Sequence, residues 1–322
     1  MIIDAHMHIW DRIHGLVNGE LPVRPLGSGM ISIGEEKMLG MPATLNDCQA
    51  LAEYVIGEFD ASGVQAGVVV QEYLDGPQND YLLAVQSNYP DRFFLHALPN
   101  FFDLNGVVSE SEKLFNQGFR GLKLCGGHLL GKVDLNDEAF FPIWEMMEND
   151  GHILAVDFSE GEIQVPQFEI IMSNFPSLKV AIGHFGMPNR GGWPGQLKLC
   201  HHQNVYIECG GIIWLYRSEG YPFTQAQEAI KKAANEVGYD KLMWGSDWPR
   251  TMVDFTYRQS LDFIRDDDSI NDKDKQAFLG KNAERLYGFQ LEQSKFSVPS
   301  ALLTTLPCIC KTDSGFVFSK IA

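Results

Sequence analysis

The sequence predicts an α/β fold, a single (β/α)₈ barrel, from three observations. Short apolar runs alternate with amphipathic helical stretches along most of the chain. Eight such runs fit within 322 residues, a length that suits one barrel domain or two ordinary domains. The alternative architecture, an open doubly wound sheet, often carries a glycine-rich nucleotide loop after its first strand, and this sequence has none there.

The predicted strands are apolar and mostly rich in Val, Ile, Leu or Phe, as expected for strands buried on both faces. They are Ile2–His8, Gly67–Glu72, Phe93–Leu98, Arg120–Cys125, His152–Asp157, Lys179–His184, Asn204–Cys209 and Lys241–Asp247. Periodic apolar residues, with Gly or Pro after most segments, predict helices between them. The clearest are Asn46–Ala61, Asn79–Tyr89, Asp137–Asn149, Thr224–Val237 and the closing Asp272–Tyr287.

Two segments lie outside this repeat. The barrel is predicted over residues 1–289, and Asp11–Pro42, rich in Gly and Pro, is predicted as a long loop after its first strand. Because long loops at that end of a barrel often build the active site, this loop is either a lid or pocket wall or a surface excursion. Residues 290–322 are predicted as a C-terminal extension that either wraps the barrel or is partly disordered.

Charge and cysteine content limit the classes of partner. The formal net charge of −17 disfavours nucleic acid and anionic membranes as partners, although local lysines and arginines can still accommodate an anionic substrate. Six scattered cysteines make a disulfide framework unexpected, and the spacing of Cys308 and Cys310 is weak evidence for a metal or redox site. With no predicted signal peptide or membrane span, the expected location is the cytoplasm.

Polar residues end the predicted strands. In a barrel of this type the carboxyl ends of the strands form the active-site face, and so many polar groups are costly to bury unless they bind one another, a metal or a substrate. They are His6, His8, Gln71, Glu72, His96, Lys123, Asp157, His184, Glu208 and Asp247. Of these, His96 and Glu208 are interpreted mainly as core polar groups. Three further histidines are interpreted as loop or surface residues: His14, His201 and His202.

Two histidines on the first strand are the strongest candidates for an active site. Side chains at i and i+2 of a strand point to one face, so His6 and His8 enter the barrel together. A pair of imidazoles suits a borderline cation such as zinc. The alternative for each is a hydrogen-bonded core histidine, which is the commoner fate of a lone histidine.

Three more strand-end residues have chemistry that suits catalysis. His184 can polarise a carbonyl or carry a proton, and its alternative is a backbone hydrogen bond at a glycine turn. Asp247 can ligate a metal and accept a proton from water, and its alternative is a helix N-cap. Lys123 can bind a substrate carboxylate or a developing oxyanion, and its alternative is a side chain that extends to solvent at the rim.

Five motifs in order resemble the amidohydrolase superfamily, in its amidohydrolase-related branch. They are residues 3–11 (IDAHMHIWD), 118–123 (GFRGLK), 184–188 (HFGMP), 245–249 (GSDWP) and 282–288 (NAERLYG), and the resemblance runs from Ile2 to about Phe289. It implies metal ligands at the HxH pair, at a strand-five His and at the strand-eight Asp. It also implies that the strand-six His assists catalysis.

One residue departs from the family pattern and limits the kind of metal site that is expected. Asp157 stands at strand five where many members have His, which argues against a two-metal centre bridged by a carboxylated lysine. A site with at most one divalent ion, most simply zinc, remains, with His6, His8, Asp157 and Asp247 as ligands, and so does a metal-free site. Asp-Phe at strand five, HIWD, HFGMP and GSDWP are most similar to the lactonase branch, which includes sugar-lactone and 2-pyrone-dicarboxylate hydrolases.

The predicted function is hydrolysis of a small lactone. Asp247 is predicted as the general base, with His184 and Lys123 stabilising the oxyanion. Arg250, Trp214 and Glu72 are the predicted substrate contacts. The alternatives are a metal-dependent non-oxidative decarboxylase of the aminocarboxymuconate type, which generally retains the strand-five His, and a non-catalytic binding barrel. The resemblance also implies a homodimer or higher homo-oligomer.

Overall fold

The computed structural model describes residues 1–159 and 162–291, and the backbone of two strands at 308–312 and 315–319. Eight parallel strands alternate with helices, which confirms the predicted α/β class with parallel sheets. They are β1 (Ile3–Met7), β6 (Ala66–Val69), β7 (Phe93–Leu95), β8 (Gly121–Cys125), β9 (Ile153–Asp157), β10 (Lys179–Ile182), β11 (Val205–Glu208) and β12 (Leu242–Met243). Their order is β1-β6-β7 in one sheet and β8-β9-β10-β11-β12 in the other.

Twelve α-helices occur in the described ranges. They are α1 (Ala52–Ser62), α2 (Asn79–Asn88), α3 (Val107–Asn116), α4 (Gly126–Leu129), α5 (Phe141–Asp150), α6 (Gln164–Asn174), α7 (Trp193–Lys198), α8 (Ile212–Leu215), α9 (Thr224–Val237), α10 (Tyr257–Arg265), α11 (Asp272–Gln276) and α12 (Asn282–Tyr287). Short 3₁₀ turns cover 138–140, 184–186, 199–201, 239–241 and 251–253. None of the helices in these ranges has the length and apolar character needed to cross a membrane.

Backbone hydrogen bonds connect the two sheets at both junctions. Beyond β7, the N–H of Ala97 donates to the carbonyl of Gly121 at 2.9 Å. Beyond β12, the N–H of Asp247 donates to the carbonyl of His6 at 2.8 Å. The chain that follows β12 is therefore held beside the end of β1, which brings two predicted site residues together.

The core has an inner and an outer part. The outer cluster, between strands and helices, includes Phe59, Trp144, Phe168 and Trp244, all fully buried. A second cluster is formed by strand residues together with α12: Ile3, Ala5, Val68, Phe94, Ile153, Ala181, Met243, Ala283, Leu286 and Tyr287.

The segment after β1 differs from its prediction as a loop. Within 11–42 the chain forms a four-stranded antiparallel sheet whose strands pair in chain order. Its strands are β2 (Leu16–Val17), β3 (Leu21–Gly27), β4 (Met30–Ile33) and β5 (Glu36–Leu39). The apolar–polar alternation of these strands is short, and the turns between them lie at glycines, such as Gly29 with φ +75°. Composition alone therefore predicted a loop instead of strands.

Other element bounds also differ from the predictions. Helix α1 begins at Ala52 instead of Asn46, and β12 ends at Met243 instead of Asp247. The closing helix is interrupted by a π-helical segment at Ala277–Lys281. Several polar residues thus follow the paired part of their strand. His184 and Asp247 lie in turns with φ +51° and +56°, a left-handed conformation that L-residues rarely adopt.

The predicted C-terminal extension is described only in part. Its two strands, β13 (Cys308–Thr312) and β14 (Gly315–Ser319), form an antiparallel hairpin. Cys308 and Cys310 lie on β13. The remainder of 292–322, with Pro299 and Pro307, lies outside the described residues, so whether the tail wraps the barrel stays a prediction.

Helix α10, which follows the Asp247 turn, provides a test of the fold. The Thr256 hydroxyl accepts from the N–H of Gln259, and the Gln259 side chain accepts from the N–H of Thr256, a complete capping box. Thr256→Ala should lower the free energy of unfolding by about 1 kcal/mol, because a backbone donor loses its partner. Urea unfolding measures this loss. Thr224→Ala, beside an N-cap without a side-chain hydrogen bond, is the control and should change stability by less than about 0.5 kcal/mol.

Candidate active site

The structure brings most of the predicted site residues to one rim. His6 lies in β1, with His8 just beyond it. Lys123 lies in β8 and Asp157 ends β9, while His184 and Asp247 occupy the turns after β10 and β12. All of these side chains are buried or nearly so. They fall into two adjacent groups, whose closest rings are those of His6 and His184, with centroids 4.6 Å apart.

The first group is a triangle of His6, His8 and Asp247. The Nε2 atoms of His6 and His8 are 3.2 Å apart. Asp247 Oδ1 lies 3.0 Å from His8 Nε2 and 3.8 Å from His6 Nε2. His8 Nδ1 faces the carbonyl of Val70 at 3.0 Å, a contact that requires a proton on Nδ1. When neutral, His8 therefore presents an Nε2 lone pair to the triangle.

This triangle fits a zinc ion. Zn²⁺ binds imidazole nitrogen and carboxylate oxygen at about 2.0–2.1 Å, and tetrahedral geometry then places ligand atoms about 3.3 Å apart. The observed separations of 3.2, 3.0 and 3.8 Å bracket that value. Two nitrogens and one oxygen also match the three protein ligands of a catalytic zinc site. The donor set of His6, His8 and Asp247 can therefore hold one divalent ion.

The second group is Lys123, Asp157 and His184. Lys123 Nζ donates to Asp157 Oδ2, and His184 Nε2 lies 3.8 Å from the same oxygen. His184 Nδ1 faces the carbonyl of Gly210 at 2.9 Å, so Nδ1 carries a proton. Asp157 was predicted as a ligand beside the histidine pair, but the structure joins it to Lys123. It belongs to a separate potential ligand set with His6 and Glu208.

The charges of this second group stabilise one another. Burial alone would raise the pKa of Asp157, but Lys123, His184 and His6 hold that pKa well below its usual range. Burial would lower the pKa of Lys123, and Asp157 raises it instead. Burial likewise opposes the charged form of His184, yet Asp157, Asp247 and Glu208 raise its pKa. His184 is thus biased towards the imidazolium form, which can donate a proton from Nε2.

Asp247 is held by contacts on both oxygens. His8 faces Oδ1, and the indole N–H of Trp214 donates to Oδ2 at 2.9 Å. Burial would raise its pKa, but the contact with His8 and the charge of His184 lower the pKa to about 2. Asp247 is therefore ionised at neutral pH. Trp214, predicted as a substrate contact, lies against this carboxylate.

Glu208 is the site residue that the sequence interpretation missed. Its Oε1 lies 2.5 Å from His6 Nδ1, and its Oε2 accepts the N–H of Gly210 at 2.5 Å. Burial lowers the pKa of His6 while Glu208 raises it, and burial prevails. A carboxylate at Nδ1 fixes the proton there and turns Nε2 towards the triangle. Its position at the end of the seventh strand was the available signal, but a strand-end carboxylate alone does not reveal its partner.

Two residues predicted to contact substrate, Arg250 and Glu72, instead contact other residues of the protein. Arg250 donates to Asp75 and, at 2.6 Å, to the carbonyl of Gly40, and its guanidinium lies over the Trp10 ring. Glu72 Oε2 lies 3.2 Å from His128 Nε2. The Arg250 contacts join the end of the segment after β1 to the turn after β12.

The remaining histidines lie where the sequence suggested. His96 is fully buried, with Nδ1 facing the carbonyl of Val69 at 3.1 Å. Burial lowers the pKa of His96 to about 3, which keeps it neutral. His201 and His202 lie beside surface glutamates, and His14 is exposed. None of these four residues belongs to the two groups described above.

The raised pKa of His184 gives a prediction for protein treated with a chelator. In NMR titrations the pKa of its imidazole should lie above the ordinary histidine value of 6.5. Removing the ion pair with Lys123→Met and Asp157→Asn together should lower that pKa, because Asp157 is the largest cause of the rise. The double change avoids leaving a buried lysine unpaired. The imidazole of His152, at the opposite end of β9, should titrate alike in both proteins and serves as the control.

The raised pKa of His184 also predicts how the stability of the protein depends on pH. A raised histidine pKa contributes stability that is complete below pH 6.5 and is lost as the pH rises through the folded-state pKa. Thermal unfolding of the chelated wild type should therefore show this loss above pH 6.5, and the double variant should show less of it. An unchanged His184 titration in the double variant would contradict the assignment.

The sequence is similar to those of known proteins. The sequence pattern of the Amidohydrolase family matches residues 3–289. L-fucono-1,5-lactonase of Burkholderia ambifaria is 23% identical over 256 residues, covering 77% of this chain and 80% of the relative. 2-Amino-3-carboxymuconate-6-semialdehyde decarboxylase of Dictyostelium discoideum is 24% identical over 260 residues, covering 70% of this chain and 69% of the relative.

A solved structure is also similar in fold. The probable 2-pyrone-4,6-dicarboxylic acid hydrolase of Acinetobacter baumannii aligns with a TM-score of 0.65 and 22% identity, covering 89% of this chain and 99% of that one. The family match spans nearly the whole described chain, and it includes the HxH pair, the strand-six histidine and the strand-eight aspartate. The chain therefore belongs to the amidohydrolase family.

Proposed function

We propose that this protein is a lactonase that adds water to the carbonyl of a small cyclic ester at the rim of a closed (β/α)₈ barrel. The observation that carries the proposal is the triangle of His6, His8 and Asp247 beside the Lys123–Asp157–His184 group. The triangle can position an electrophile and accept a proton. The group that contains His184 can donate a proton. The similarity to a lactonase and a pyrone hydrolase supports this reaction class.

The triangle would hold one divalent ion, with zinc the best match to its ligands. When bound, such an ion polarises a carbonyl and lowers the pKa of water towards about 7. Glu208 would serve the ion indirectly, by keeping His6 Nε2 unprotonated and correctly aimed.

The side chains account for the proton movements of lactone opening. As the water oxygen bonds to the carbonyl carbon, its proton passes to a carboxylate oxygen of Asp247. His184 stabilises the developing oxyanion through its Nε2–H. The ring C–O bond then breaks, and the departing oxygen takes the proton from Asp247. Asp247, with a pKa of about 2, is ionised at neutral pH and can accept this proton.

In this proposal Lys123 does not contact the substrate carbonyl directly. Its side chain is buried, and its ammonium donates to Asp157. We assign it the task of holding Asp157, which in turn favours the charged form of His184. This makes Lys123 and Asp157 positioning residues.

A decarboxylase is the second candidate, and the similarity to the aminocarboxymuconate semialdehyde decarboxylase supports it. The two reactions differ in their products. Lactone opening releases a proton and no gas, whereas decarboxylation releases carbon dioxide. Assays of acid release and of carbon dioxide evolution therefore separate the two candidates.

Replacement of Asp247 tests the proposed general base. Asp247→Asn should reduce lactone turnover about 10²–10⁴-fold, because an amide cannot accept the proton. Circular dichroism and thermal unfolding should show that the fold persists. The matched control is Asp254→Asn, since Asp254 lies in the same part of the chain and is paired at the surface with Arg217. Full activity of Asp247→Asn would overturn this assignment.

Metal content provides an independent test. Elemental analysis of the purified protein should find at most one equivalent of divalent metal, and chelation should lower lactonase activity. Glu208→Gln should weaken metal affinity about 10–100-fold, because no carboxylate then faces Nδ1 to orient the His6 ring. Glu169→Gln, which changes the surface partner of His202, should leave metal affinity unchanged. Equal affinity in the wild type and Glu208→Gln would contradict the positioning role.

A further inference from the structure

We propose that Asp4 is a positioning residue, which holds the Asp247 carboxylate against His8 by anchoring the turn that carries it. This goes beyond the proposed function and rests on it only for the part that Asp247 plays in the reaction. Asp4 lies in β1 and is fully buried. The observation behind the proposal is the set of hydrogen bonds that its carboxylate accepts from β1, from the turn after β12 and from α10.

Both oxygens of this carboxylate are engaged. Asp4 Oδ1 accepts the N–H of Ser246 at 2.8 Å and the N–H of His6 at 3.3 Å. Asp4 Oδ2 accepts the hydroxyl of Ser246 at 2.6 Å and the phenol of Tyr257 at 2.9 Å. Because a buried polar network whose members are all hydrogen-bonded is rigid, these contacts fix the turn after β12 relative to β1 and α10.

Asp4 supplies an acceptor where the pairing of the backbone is interrupted. The N–H of Asp247 donates to the carbonyl of His6 at 2.8 Å, which connects the turn to β1 through the backbone. The preceding N–H, that of Ser246, instead meets the Asp4 side chain. The register of β1 against β6 also shifts between Asp4 and Met7. The side chain of Asp4 therefore secures β1 to the turn in an irregular part of the strand.

The residues on both sides of Asp247 are held by this network. The N–H of Trp248 donates to Ser246 Oγ at 3.0 Å, and the carbonyl of Trp248 accepts the N–H of His8 at 2.7 Å. Asp247 lies between them with φ +56°. A non-glycine residue keeps such a conformation only where its surroundings enforce it. By holding Ser246, Asp4 holds one end of the turn that aims the Asp247 side chain.

The position of the Asp247 carboxylate depends on this aim. Its Oδ1 lies 3.0 Å from His8 Nε2, and its Oδ2 accepts the indole N–H of Trp214 at 2.9 Å. If the turn relaxes towards an ordinary backbone conformation, both distances increase. The Trp214 indole therefore reports the position of the carboxylate without any need for bound metal or substrate.

NMR spectra of the full chain test the inference. Removing both hydroxyls, with Ser246→Ala and Tyr257→Phe together, should move the indole proton resonance of Trp214 upfield and speed its exchange with solvent several-fold, because its hydrogen bond to Asp247 weakens. Trp214→Phe identifies the resonance. The indole of Trp144, which lies in α5 within the outer cluster, should not move. An unchanged Trp214 resonance would overturn the inference.

Asp4→Asn is an independent change in the same network. The amide keeps the size of the side chain and one acceptor oxygen, but its nitrogen cannot accept hydrogen bonds from the hydroxyls of Ser246 and Tyr257. The Trp214 resonance should therefore shift in the same direction as in the double variant. A Trp214 resonance at the wild-type position would contradict the role of the Asp4 carboxylate.

Zinc affinity separates positioning from a purely structural role. The double variant should bind zinc about tenfold more weakly, since the groups that support a ligand fix its geometry. Competition with a chromophoric chelator measures this affinity. The matched control is Tyr81→Phe, which removes a phenol oxygen that accepts the N–H of Ala52 at 2.9 Å outside the site. It should lower the midpoint of thermal unfolding but leave zinc affinity and the Trp214 resonance unchanged.

Lactonase assays keep this inference apart from the proposed function. In an active protein the double variant should lower kcat more than it raises KM, because Asp247 accepts the proton of water in the reaction. If the wild type opens no lactone, the proposed function fails, while the Trp214 resonance still decides the part of Asp4. If the double variant loses only thermal stability and keeps kcat, zinc affinity and the Trp214 resonance, the inference alone is overturned.

Discussion

The contact between His6 and Glu208 determines how the rest of the site is arranged. A carboxylate 2.5 Å from Nδ1 keeps the proton on that nitrogen, so Nε2 faces His8 and Asp247 with its lone pair. Gly210 and Gly245 make this arrangement possible, because a Cβ at either position would come within 2.8 Å of His6. The strand register, the absence of side chains at the two glycines and the fixed tautomer together set the orientation of the His6 imidazole.

Burial then requires the surrounding charges to compensate one another. A carboxylate or ammonium removed from water is tolerated when an opposite charge lies close to it. Asp157 satisfies Lys123 and also favours the charged form of His184. The site therefore contains one group biased towards imidazolium beside another whose nitrogens are available to a cation. The separation of these two roles underlies the proposed chemistry.

The sequence predicted these parts unequally, for physical reasons. The alternation of elements and the i, i+2 spacing of His6 and His8 are local patterns, and both survive in the structure. Glu208 was interpreted as a core group because its partner, His6, lies 202 residues away. Arg250 was predicted to contact substrate, and its partner Asp75 lies 175 residues away. Such pairings depend on how the strands meet, which periodicity does not reveal.

The left-handed turns at His184 and Asp247 have a consequence for the evolution of the protein. A non-glycine residue in that region costs on the order of 1–3 kcal/mol, and it persists only where its surroundings enforce it. Selection for stability alone would favour glycine at both positions, since glycine adopts this conformation readily. Retaining an imidazole and a carboxylate there means that the protein gives up folding free energy at its rim, and stabilising changes must accumulate elsewhere.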